Sequence, residues 1–142
     1  MSHFSVLVIG PNPEQQLQPF HEFECTGTDD EFDTDFGYRG RMQFLFGLRD
    51  PLFSDPQGSS NGFESDNDSG GTFDMPLTMP IISNATLVGP EYVVGVGNLP
   101  PGNTFSNSGV LRQNSRINIL NTAIAGYPRG MTVREGDGGD AQ

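Results

Sequence analysis

Hydrophobic residues along this chain come in short runs cut by glycine, proline and asparagine. Residues 3–9 (HFSVLVI) predict a buried strand, because Val6, Val8 and Ile9 are β-branched and both faces turn apolar after Ser5. Gly10-Pro11 stops that run. Asn12-Pro13-Glu14 then has the chemistry of a helix start: a capping side chain, a proline in the first turn and an acid near the N-terminus. A short helix over 12–18 follows, with residues 20–25 as a second strand. Residues 38–48 (YRGRMQFLFGL) predict a strand or strand pair bent at Gly40 and Gly47.

Residues 50–71 are dominated by Ser, Gly, Asp, Asn and Pro and predict an exposed loop. Beyond Thr72 the runs shorten. Residues 75–82 carry two prolines and suit an extended arm or edge strand. Residues 85–88 and 92–96 predict short strands on either side of Gly89-Pro90. Residues 98–109 are rich in turn signals, and 110–120 ends in the period-2 stretch Arg116-Ile117-Asn118-Ile119. Residues 122–125 continue that stretch or form one helical turn, and 132–134 add a last strand. The expected fold is mainly β: a small sandwich, barrel or meander with long loops, extended arms and at most one or two short helices. One β-rich domain spans 1–134, and the acidic stretch 135–142 (EGDGGDAQ) reads as a disordered tail. No repeat is visible in the sequence.

Composition sharpens this picture. In 142 residues there are 19 Gly, 11 Pro, 11 Phe and no Trp, so phenylalanines carry much of the core and much backbone lies in turns. The net charge is −11, and all seven basic residues are Arg. Residues 1–71 hold thirteen acids and three arginines, whereas 72–134 hold two acids and four arginines. This balance argues against nucleic-acid binding, which needs a basic face, and against docking on an anionic membrane. Cys25 is the only cysteine, so no intrachain disulfide forms. The first residues lack the basic region and cleavage site of a signal peptide, and no run is long enough to span a bilayer.

Candidate chemistry is thin. His3, His21 and Cys25 form a zinc set only if the first two strands pair; a buried Cys25 beside two partly exposed histidines is the simpler reading. Asp66, Asp68 and Gly71 match the start of a calcium loop, but Gly70 and Leu77 stand where further ligands belong, and a solvated loop accounts for them. The acids at 29–35 leave open a cation held between subunits. Gly95-Val96-Gly97 lacks a third glycine, and Pro100-Pro101 stands where a phosphate-binding helix would begin. No nucleophile elbow is present, and the many carboxylates single out no pair. No catalytic residue, metal site or cofactor is expected.

Residues 1–35 carry the one resemblance. The run MSHFSVLVIG, then P-x-x-Q-L-x-P-F, then HEFECTG before an acidic stretch, resembles the N-terminus of a family of small bacteriophage proteins. The resemblance implies phage origin and assigns no catalytic residue. It makes a virion structural protein the expected function, foremost a capsid decoration or cement protein. Such a protein is expected in the virion, made in the host cytoplasm, as a homo-oligomer with a trimer favoured. Its partner would be the major capsid protein or another virion protein. Met75, Leu77, Met79, Ile81 and Ile82 are the expected subunit contacts. The alternative is a small acidic early protein that binds a host factor through 29–35.

Overall fold

The structure, a computed structural model, describes residues 28–134. In chain order the elements are β1 (Phe32–Thr34), β2 (Arg41–Gln43), β3 (Phe46–Leu48), β4 (Phe63–Ser65), β5 (Ile81–Ser83) and β6 (Thr86–Val88). They continue with α1 (Glu91–Val94), β7 (Asn107–Leu111), β8 (Asn118–Leu120), β9 (Ala123–Ala125) and β10 (Arg129–Val133). The strands form three sheets, ordered β1-β4-β7-β10, β2-β5-β8 and β3-β6-β9. Every pairing is parallel. The chain visits the three sheets in turn and then returns to the first, so each circuit is one coil of a parallel β-helix.

The mainly-β, loop-rich class expected from the sequence is therefore present, with one short helix among the described residues. Its architecture is different. The strands do not fold into a sandwich, barrel or meander, because each pairs with the strand one coil away rather than with its chain neighbour. In the first sheet Phe32 pairs with Phe63, Phe63 with Gly109 and Gly109 with Met131. These steps are very unequal, because the loops between strands differ in length, and this hides the structural repeat from the sequence.

Side chains that point inward build the core. Phe32, Phe63, Ile82, Ala85 and Leu87 are buried together, with Met42, Leu45, Ile117, Ile119, Ile124 and Tyr127 packed against them. Phe32 and Phe63 stack at 5.6 Å between ring centroids. Complete burial of Phe63 contributes about 1.5–3 kcal/mol. The next residue in that row is Gly109, where an added Cβ would stand 2.5 Å from Met131 Sδ. A side chain there would have to push aside the flexible, partly exposed Met131 thioether. Beside this apolar row runs a polar one. Thr34 Oγ1 donates to Ser65 Oγ at 2.8 Å, and Ser65 shares a short hydrogen bond with Ser115. Asn107 Nδ2 donates to Asn61 Oδ1 at 3.0 Å, and Thr132 Oγ1 donates to Asn107 Oδ1 at 2.9 Å.

The corner between the second and third sheets is built alike in each coil. Phe44, Asn84 and Asn121 occupy it with φ of 58°, 56° and 45°. Asparagine tolerates this left-handed conformation better than most residues. The Asn121 side chain donates to Asn84 Oδ1, linking two coils.

Several local expectations change. Residues 50–71 are not a simple exposed loop, because Ser60, Asn61, Phe63, Ser65 and Asn67 are buried and β4 lies among them. Polar residues fill the interior here, so composition imitates a loop. Residues 92–96 are not a strand; Tyr92 and Val93 lie in α1. Residues 75–82 do not extend as an arm. Thr78 is buried, takes a hydrogen bond from Gly37 N and donates its own N–H to Asn67 Oδ1, and the segment ends in β5 with Ile82 in the core. The elements expected over 3–25, the candidate zinc set and the acidic tail lie outside the described residues.

Candidate functional site

The outer face of the first sheet gathers the acids that the sequence leaves scattered. In β1, Phe32 and Thr34 point inward, so Asp33 points out; in β4 the same alternation turns Glu64 out. Asp33 and Glu64 are register partners on adjacent strands, which stand about 4.8 Å apart. Asp66 follows β4, and its N–H donates to Thr34 O at 2.9 Å, which extends the pairing one residue further. Arg112 follows β7 and is fixed likewise by its N–H to Ser65 O at 3.1 Å.

Arg112 organises this face. Its Nε donates to Asp66 Oδ1 at 2.9 Å and its Nη2 to Asp66 Oδ2 at 3.0 Å, a bidentate pair, while Nη2 also contacts Glu64 Oε1. The Glu64 and Asp66 side chains are largely covered, at 15% and 14% exposure, and Arg112 is more open at 34%. Asn61 ties the face to the interior. Its backbone N–H donates to Asp30 Oδ1 at 2.6 Å, while its side-chain oxygen accepts from Asn107 N at 3.0 Å.

Crowding of carboxylates changes their proton affinity. Burial, followed by the charges of Asp30, Asp35, Asp66 and Asp29, pushes Asp33 up to about 6. Burial also raises Asp35, with Asp66 adding to it. Glu64 is held well above the usual carboxylate range by burial first, then by its hydrogen bond with Asp30 and that residue's charge. Arg112 opposes this rise. Asp33 therefore holds its proton to a higher pH than an ordinary aspartate, beside a Glu64 carboxyl whose proton affinity is raised while it contacts Arg112. With the guanidinium, the face offers both donors and acceptors to a polyhydroxylated ligand.

Of the expected subunit contacts, the structure separates two groups. Met75 is 73% exposed and Met79 36%, with Leu77 half-buried between them, whereas Ile81 is a half-buried β5 residue and Ile82 is wholly buried. Ile82 belongs to the core. Asp66 and Asp68, the calcium-loop candidates, are engaged elsewhere: Asp66 by Arg112, and Asp68 by Gly70 N, Thr72 N and the Thr72 hydroxyl. Among the described residues no group of three or more His, Cys, Asp or Glu is arranged to hold a metal ion. Glu64 and Arg112 carry no sequence signal of their own. Only the inward turn of Phe63 and Ser65 reveals that Glu64 faces outward.

A family model described as a pectate-lyase-like β-helix domain matches residues 21–141, most of the chain. No curated protein and no solved structure matches.

Proposed function

The chain belongs to the pectate-lyase-like β-helix domain family, and from that premise we propose that it is a virion structural module that binds a polysaccharide. The ligand would lie across the outer face of β1, β4 and β7. One observation carries this reading. Asp33 and Glu64 stand in register beside the Arg112–Asp66 pair on an outward-facing row of a parallel sheet. Sugar hydroxyls donate and accept at once, and this row meets them with closely spaced carboxyl groups and a guanidinium. The resemblance of residues 1–35 to phage proteins supports the virion assignment, and a parallel β-helix suits a subunit of the particle surface, as decoration or as a projecting element.

Two measurements test it. Glycan arrays followed by calorimetry on the full chain are expected to find an oligosaccharide that binds, with E64Q and R112A each weakening it about tenfold, or about 1.4 kcal/mol. Absence of binding to neutral, acidic and amino glycans alike overturns the glycan assignment. Quantitative mass spectrometry of density-purified particles is expected to find the chain as a stoichiometric component. Its absence from particles overturns the virion assignment and redirects attention to a host factor.

A second reading has its own support. A pair of closely placed carboxyls is the usual means of glycoside cleavage, and Asp33 and Glu64 stand side by side on adjacent strands. Release of new reducing ends by the wild type but not by E64Q or D33N would replace the binding role with an enzymatic one.

A further inference from the structure

A second surface lies at the corner between the first and second sheets. The turn at 36–39 rests on the segment 74–79: Gly37 N donates to Thr78 Oγ1 at 2.8 Å, and Met79 N donates to Tyr38 O at 2.8 Å. A Cβ at Gly37 would stand 2.5 Å from Pro76 O, so the two segments touch through backbone. This packing leaves large apolar side chains in solvent. Phe36 is 75% exposed, Met75 73%, Phe73 60% and Tyr38 41%. With Met79 they gather where the 36–39 turn meets the 74–79 segment, and large apolar side chains left in solvent together mark an interaction surface.

The rim of the patch is polarised. Exposed Asp35 directly follows β1 and exposed Asp74 lies between Phe73 and Met75, while exposed Arg39 and Arg41 follow Tyr38, with Arg41 opening β2. Among the described residues neither Arg39 nor Arg41 has an ion-pair partner, whereas Arg49 and Arg112 both do. An apolar centre with an acidic flank and a basic flank is complementary to itself. Turned about an axis along the coil stack, the acidic flank of one copy meets the arginine flank of the other, twice over.

We propose that this corner is an interface with a second copy of the chain, centred on Phe36, Phe73 and Met75. Arg39 and Arg41 of one copy face Asp35 and Asp74 of the other. The interface is separate from the carboxyl row and does not depend on its binding a glycan.

Sedimentation equilibrium of the full chain over a range of concentration and salt tests this. The wild type is expected to self-associate, more weakly as salt rises. F36S/F73S and R39E/R41E are each expected to weaken association at least about tenfold without lowering the melting temperature. Mixing R39E/R41E with D35R/D74R, each defective alone, is expected to restore a mixed species. A monomeric wild type, association unchanged by these substitutions, or a mixture that stays apart overturns the proposal. Should F36S/F73S fail to fold, the charge-exchange pair still decides, because its four residues are exposed and make no ion pair among the described residues.

Discussion

Arg49 and Arg112 each pair with carboxylates across coils, yet their surroundings give them different work. The Arg49 side chain is 2% exposed; its Nε lies 3.0 Å from Glu31 Oε1, and its Nη2 donates to the carbonyls of Asp29 and Asn61. Its guanidinium also lies 5.8 Å from the centre of the Phe105 ring. Arg112 makes a similar set of contacts at the outer face, where a third of its side chain meets solvent. Burial turns one arginine into a brace between loops and leaves the other able to meet a ligand. The chemistry of a residue pair does not state its role; its depth does.

The largest effect is expected from breaking the buried member. R49A leaves Glu31 without its partner and strips two backbone carbonyls, and should cost about 3–5 kcal/mol in chemical denaturation. A loss below 1 kcal/mol would place Arg49 at the surface and erase the contrast. R112A is expected to cost less, on the order of 1 kcal/mol, because solvent takes over part of its role. Its larger signature is in glycan affinity. A stability loss equal to that of R49A would make Arg112 a second brace instead.

Proton linkage gives a further test at the outer face. The Asp33 carboxyl is raised from 3.8 to about 6 in the folded chain. Its contribution is therefore fully present below about pH 3.8 and is lost as pH rises through about 6. D33N removes that loss and should stabilise the protein at pH 7 by at most about 1 kcal/mol, allowing for solvent screening, with no gain at pH 4. A gain equal at both pH values would mean the acid is not strained.

The smallest effect is expected at the sheet corner. Phe44 holds the left-handed conformation with its ring largely in solvent, where the other two coils use asparagine. F44N should stabilise by about 0.5–1 kcal/mol, read as a small rise in melting temperature. A fall would show that the ring packs usefully.

Much of the strand content was legible in the sequence. Residues 38–48 contain β2 and β3, and 85–88 contain β6, because apolar runs between turn residues favour extended backbone whatever its partner. β4 was not legible. Phe63-Glu64-Ser65 sits among serines, asparagines and glycines that mark a loop when counted, yet Ser60, Asn61 and Ser65 are buried and Ser60 and Ser65 are hydrogen-bonded to other coils. The candidate site shared this blindness, since Glu64 lies in β4 and Arg112 lies 48 residues away. The apolar character of 75–82 is legible in the sequence, but its division into exposed Met75 and buried Ile82 is not.

By itself the sequence determined that the chain is acidic, mainly β and rich in turns, and that its acids concentrate before residue 72. These properties follow from composition and from interactions between near neighbours. Only the tertiary structure decided that the strands stack in parallel, that polar rows fill part of the interior, and that Asp33, Glu64, Asp66 and Arg112 share one face. Parallel pairing joins residues a whole coil apart, and the coils differ in length. No fixed spacing in the sequence records which residues meet.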